Sequence, residues 1–402
     1  MSIYSFMRAV VCLVLTMTTV SAGHCEVTTS AATGKVRANV DITTIHDCAK
    51  NVTIPIIYLT DRNLAGNTFG GDRRYPTHCR HHMYYGTAFV SVPNEARKSA
   101  SALSQSLGWT FDDHRGAKIS EKQMIDPENS DVAKATFYSR LEGALDASKS
   151  SELCLYVHGS ADAFEDCLGD AARQAYQLEK PVVLYSWPSH SRYRGYFIDS
   201  GNCEWSQGHF VNFCRELAAV RARRPLDVTV VTHSMGGRLV ARALPVLDET
   251  RLISDYELVS PDIDADTFTH YLYGHREERK KIRIYVSNKD KLLPLVQLLS
   301  GGYFRLGEGA NPTFPSPRTP QALSFERVDF TAVDPGLEGH GIPFDLIASM
   351  QKTGKPPEGM AMVPERVIRP SGFVRFIGRS AKFHVEDIEP EGNCSFRIIR
   401  TK

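Results

Sequence analysis

Residues 231–237 read VTHSMGG and follow directly on the β-branched run LDVTVV. A serine between an apolar strand and a glycine pair is either a polar turn or a nucleophile on a strand-to-helix elbow. The elbow holds its serine in strained backbone and needs small neighbours. Gly236 meets that need, while Thr232 stands where the first glycine usually falls. A serine hydroxyl is a poor nucleophile without a base, and the base needs an acid to orient it. Downstream of Ser234 lie His270, His275, His340 and His384. His340, in GLEGHG, follows the last strong strand and is the expected general base; His270 and His275 read as surface residues of a helix-like run. Two acids end strand-like runs, Asp290 after KIRIYVSNK and Asp262 after YELVSP. Asp290 is preferred because it closes the strand nearer the histidine, and Asp262 stays open as the alternative.

Acyl transfer also needs two backbone amides aimed at the developing oxyanion. Met235 supplies one as the residue after the nucleophile. The other is expected from the turn after LCLYVHGS, from Gly159 or Ser160. His158 reads as a structural histidine, and His233 as pointing into packing. The insert SHSRYRGYFIDSGN carries Tyr193, Tyr196 and Phe197, which with SGGYFRLGEGANPTFPSP form either a substrate-binding cover or solvent-exposed loops. No metal is expected. DIDAD fails as a calcium loop, since Thr267 and Tyr273 stand where glycine and glutamate are needed. HCRHH, from His78 to His82, sets its ligands side by side rather than at zinc-site spacing. No organic cofactor is called for either.

These residues need a scaffold, and the chain between them supplies one. From about residue 150, apolar runs alternate with amphipathic segments: LCLYVHG, FEDCLGDAARQAYQL, PVVLYSWPS, CEWSQGHFVNFCRELAAVRA, LDVTVVTHS, GGRLVARALPVL. SDYELVSPD, KIRIYVSNKD and LSFERVDFTAVD continue the strands. Such alternation predicts an α/β fold, a mostly parallel sheet with helices on both faces, whose ligands bind beyond the carboxyl ends of the strands. VTIPIIYLTDRN and YGTAFVSVP add an N-terminal strand extension, giving a domain over residues 52–350. GFVRFIGRSAKFHVEDI and CSFRIIR predict a small β appendage over residues 365–402.

The N-terminus reads as a signal peptide, residues 1–23. MSIYSFMR is followed by the apolar Ala9–Val20 and the small-residue site VSAGH. Ala9–Val20 makes about 18 Å of helix against about 30 Å of hydrocarbon, so export is expected rather than a stable membrane span. Of nine cysteines Cys12 leaves with the leader, and an even number remain to form disulfides in an oxidising compartment. Cys154 reads as a buried small hydrophobe, and Cys203 and Cys214 lie too far apart along a helix to bond each other. The 402 residues carry a net charge of +1 from 47 basic and 46 acidic side chains, which leaves no footprint for nucleic acid.

The blocks VHGSADAFEDCLGDAARQAYQLEKPVVLYSWPSHS, THSMGGRLV, SPDIDADTF, IRIYVSNKD and VDPGLEGHG, in this order, resemble the α/β-hydrolases grouped as domain of unknown function 900. IPIIYLTDRN and FGGDRR resemble that family's entry segment. The resemblance implies the α/β-hydrolase fold and a triad on Ser234, His340 and Asp290. The sequence departs at GSADAF, where members carry an aromatic and asparagines after the His-Gly. The reading is an exported serine hydrolase acting on small-molecule or lipid-like esters. The alternatives are a hydrolase fold kept as a binding module, and peptidase or acyltransferase chemistry on the same triad.

Overall fold

The computed structural model describes residues 46–48, 51–74, 83–93, 118–125, 130–250, 252–272, 281–309, 324–333, 339–364, 373–376, 379–382 and 393–400. The expected leader, Cys25, the His78–His82 run, His275 and His384 lie outside them.

Strands β1 (His46–Cys48) and β2 (Asn51–Thr60) are followed by a hairpin of β3 (Arg62–Ala65) and β4 (Thr68–Arg73), then by β5 (Tyr84–Pro93) and β6 (Lys118–Ile125). Helix α1 (Ser130–Ser148) opens the alternating part: β7 (Glu152–Val157), α2 (Phe164–Leu178), β8 (Val182–Ser186), α3 (Tyr196–Arg221), β9 (Asp227–His233), α4 (Gly236–Thr250) and β10 (Ile253–Val259). It continues through α5 (Ala265–Leu272), β11 (Lys281–Val286), α6 (Leu292–Leu299), β12 (Ser324–Asp329), α7 (Phe344–Thr353) and β13 (Met360–Pro364). β14 (Phe373–Phe376), β15 (Arg379–Lys382) and β16 (Asn393–Arg400) end the order.

The main sheet runs β13-β16-β12-β11-β10-β9-β7-β8-β2-β5-β6, with β1 beside β2. From β2 across to β16 every neighbouring pair is parallel, while β5, β6 and β13 run antiparallel at the margins. The apolar continuity of the central strands has a simple cause: both faces are covered. In β7, Leu153, Leu155 and Val157 pack with α1, α3 and α4, whereas Cys154 and Tyr156 pack with α2 on the other face. α7 closes that second face through Phe344, Ile347 and Met350. Among the described residues no helix is long and apolar enough to cross a membrane.

One strand is added to those read from the sequence, and two expectations change. The segment before α1 contains β6, an edge strand whose Lys118, Glu121 and Lys122 discourage further pairing. The insert after β8 is half helical, since α3 begins at Tyr196. The expected C-terminal appendage is divided: β14 and β15 pair only with each other, but β16 enters the main sheet parallel to β12.

Candidate active site

β9 lies between β7 and β10. Because these strands are parallel, the turns after them open on one edge of the sheet, and Ser234, Gly159, Asp262 and Asp290 all follow strands there. Ser234 has φ +48°, the left-handed backbone a non-glycine residue adopts only under constraint. Three hydrogen bonds impose it. The Ser234 amide donates to the Val259 carbonyl at 2.9 Å, and its own carbonyl accepts from Gly237 and Asp262 amides, each at 3.0 Å. Gly236 allows the close approach that the elbow requires: a Cβ there would lie 2.4 Å from the His158 carbonyl. Thr232, at the departure from the usual elbow, is fully buried, with its Oγ1 near the bare Gly237.

His340 and Asp290 meet. The imidazole Nδ1 lies 2.6 Å from Asp290 Oδ2. The other carboxylate oxygen accepts from the Leu292 and Leu293 amides at the start of α6, at 2.9 and 3.0 Å, which fixes the acid's orientation. Gly339 brings the histidine loop to it: its φ is +68°, and a Cβ there would lie 2.2 Å from the Lys289 carbonyl. Burial pulls the His340 pKa down, but the Asp290 charge and hydrogen bond pull it up more strongly, so it stands above the ordinary histidine value. Asp262 is elsewhere engaged. Its Oδ2 accepts from Arg238 Nη2 at 2.7 Å and from the Tyr196 hydroxyl at 2.8 Å, and Arg305 stands 3.8 Å from Oδ1. The structure therefore brings Asp290 to the histidine and commits Asp262 to an ion pair under α4.

His233 was expected to serve packing alone. Its Nε2 instead donates to the His340 carbonyl at 2.8 Å, and the two rings lie 4.9 Å apart. Burial, then the neighbouring His340, pushes its pKa down to about 4, which keeps it neutral for that role. The residue beside Ser234 thus holds the His340 loop in place.

The loop after β7 can be accounted for amide by amide. Gly159 N–H donates to Asp162 Oδ2 at 3.1 Å, Ala161 N–H to Asp199 Oδ2 at 3.1 Å, and Asp162 N–H to Ser189 Oγ at 3.3 Å. The expectation that Gly159 donates to an oxyanion is corrected, because an internal carboxylate already uses that amide. Ser160 is the residue of this run whose amide makes no hydrogen bond among the described residues, as is true of Met235. Gly159 still matters as bare backbone: a Cβ on it would come within 3.1 Å of the Ser234 Cβ.

Of the expected substrate contacts, Tyr196 has its hydroxyl on Asp262, Phe197 is 65% exposed, and the Tyr193 side chain is outside the described set. His158, Asp162 and Cys167 place possible metal-ligand atoms within 4.8 Å of one another. That space has a resident cation, since Arg62 Nη2 lies 3.2 Å from His158 Nε2 and 3.8 Å from Cys167 Sγ. Cys154, Cys167, Cys203 and Cys214 are buried free thiols.

A family model described as alpha/beta hydrolase of unknown function (DUF900) matches residues 133–344. The chain belongs to this family. Among solved structures, one titled "Structure of arylesterase" is similar at 12% identity and a TM-score of 0.25, over 50% of this chain and 74% of its own. No curated protein matches the chain. The DUF900 match begins within α1 and ends at Phe344, so it takes in the elbow, Asp290 and His340, and leaves Arg62 outside. Sequence reasoning passed over Arg62, Asp162 and Asp199. The signal for the first was present: a charged pair, Asp61-Arg62, ends an apolar strand on the site's edge of the sheet.

Proposed function

We propose that this DUF900 hydrolase is an exported serine esterase working through an acyl-enzyme. The observation that carries the reading is the 2.6 Å contact of His340 Nδ1 with Asp290 Oδ2, on a loop fixed by the neighbour of a strained serine. In this mechanism the Ser234 hydroxyl attacks the ester carbonyl while His340 Nε2 takes its proton. Asp290 holds Nδ1–H and stabilises the imidazolium that results. The Met235 and Ser160 amides receive the oxyanion. His340 then returns the proton to the departing alcohol, and water repeats the sequence in reverse to release the acid. A fluorophosphonate probe, followed by p-nitrophenyl esters of graded acyl length, tests it. Labelling on the peptide containing Ser234 with ester turnover is expected; no label, or label elsewhere, refutes it.

The pH dependence has a defined sign. Only neutral His340 can accept the serine proton, so kcat/KM should fall as pH drops through the folded-state pKa. Asp290 raises that pKa, which places the acidic limb above about 6.5, the ordinary histidine value. A pH–rate profile with its limb at or below that value would contradict the assignment.

Export carries its own expectation. The mature protein should begin near Gly23 or His24. Any disulfide has to draw on Cys25, Cys48, Cys79 and Cys394, since the other four are buried as thiols. Intact-mass and thiol-alkylation measurements on the denatured protein check both; an uncleaved N-terminus with all nine thiols alkylated would overturn them.

A further inference from the structure

Arg62 is 1% exposed, and among the described residues no carboxylate pairs with its guanidinium. A buried, unpaired cation is expensive unless every proton finds an acceptor. Here all five do. Nε donates to Ser186 Oγ at 2.9 Å; Nη1 donates to the Ser189 carbonyl at 2.9 Å and the Gly70 carbonyl at 3.3 Å. Nη2 donates to the Asp162 carbonyl at 2.9 Å and meets His158 Nε2 at 3.2 Å.

The last contact decides a proton position. A guanidinium has no lone pair to offer, so His158 Nε2 must be the acceptor and Nδ1 must carry the hydrogen. That hydrogen points at the Gly159 carbonyl, 2.7 Å away. The Trp187 carbonyl lies 3.1 Å from Nε2 and would favour the opposite tautomer. Arg62 sets the choice. Burial first, then the Arg62 charge, drives the His158 pKa well below its usual value, so the ring stays neutral, stacked on Trp187.

The Gly159 carbonyl belongs to the same peptide unit as the Ser160 amide, and in a trans peptide the two point in opposite directions. Clamping the carbonyl against His158 therefore turns the Ser160 N–H away from the ring. The Asp162 carbonyl and the Ser189 carbonyl, both on Arg62, fix the two ends of this arrangement. We propose that Arg62 and His158 are the positioning residues of the oxyanion peptide: Arg62 fixes the Nδ1–H tautomer of His158, and that ring aims the Ser160 amide beside Ser234. The proposal rests on the esterase reading above, yet its first observable does not depend on activity.

That observable is the ¹⁵N spectrum of histidine-labelled protein, with His158 assigned by comparison with His158→Phe. Wild type should show His158 with protonated Nδ1 and unprotonated Nε2. In Arg62→Met the Trp187 carbonyl should capture the ring, and the proton should move to Nε2. Kinetically, Arg62→Met and His158→Phe should lower kcat by about 10²-fold or more, the scale of losing one oxyanion donor. KM should hold, and affinity for a trifluoromethyl ketone analogue of the substrate should fall by the same factor as kcat. Arg62→Lys, which keeps a donor but not the five-point fork, should fall between. If Arg62→Met does not fold, as judged by circular dichroism, Arg62→Lys and His158→Phe carry the same comparison. A wild-type His158 protonated on Nε2 overturns the proposal. So does a kcat or analogue affinity at the wild-type level in the folded variants, or a loss falling on KM alone. A wild type that neither labels nor turns over refutes the esterase reading instead, and the tautomer measurement still decides the Arg62–His158 arrangement.

Discussion

Ser234→Ala is expected to abolish fluorophosphonate labelling and to lower ester turnover by at least about 10³-fold, leaving what binding and oxyanion stabilisation achieve alone. The size follows from the elbow. Its backbone geometry comes from hydrogen bonds to Val259, Gly237 and Asp262, none of which uses the serine side chain. Alanine tolerates φ +48° about as poorly as serine, so the substitution removes the hydroxyl and changes little else. A melting temperature near that of wild type should accompany the loss. Persisting label on a folded Ser234→Ala protein would move the nucleophile to another residue.

Asp290→Asn should cost on the order of 10⁴ in turnover, with KM nearly unchanged. The asparagine keeps the shape, and its oxygen can still cap the Leu292 and Leu293 amides. What it loses is the charge that holds His340 in its tautomer and stabilises the imidazolium. The acidic limb of the pH profile should also move down, since the group that raises the His340 pKa has gone. Asp262→Asn is the contrasting variant. It breaks a buried pair with Arg238, and such breaks cost about 3–5 kcal/mol. Its signature should be a lowered urea midpoint with a pH limb that moves down less than in Asp290→Asn, since the Asp262 charge is a smaller contributor to the raised His340 pKa than Asp290. Steady-state kinetics beside denaturation curves separate the two, and a turnover loss of the first size in Asp262→Asn with Asp290→Asn near wild type would reverse the roles.

Much of the site was legible because parallel α/β sheets put their strand ends on one edge. The runs ending at Ser234, Asp262 and Asp290 could be read from apolar periodicity, and chain order then singled out His340. Which acid meets the histidine was not fully legible, because it depends on Gly339 folding against the Lys289 carbonyl. The Gly159 assignment failed for a related reason. Whether an amide is free depends on where Asp162 turns its carboxylate, and sequence spacing carries no information about that. Arg62 was passed over because most of its acceptors come from residues far along the chain, beyond the ends of β7 and β8. Only the strand order reveals that β8 lies beside β2 and β7 beside β8. β6 was obscured by its charges, which suit an edge strand but break the apolar pattern by which strands are recognised.

β16 has a consequence for how the molecule is made. It pairs with β12 in parallel, yet α7, β13 and the β14–β15 hairpin intervene in the chain. During synthesis the elements bearing Ser234, Asp290 and His340 emerge first, while β12 still presents an open row of amides and carbonyls. That row is a template for another chain's strand until β16 arrives to cover it. Assembly of the part that bears these three residues therefore precedes sealing of its flank, and the interval between the two is when nascent chains are most prone to stick to one another.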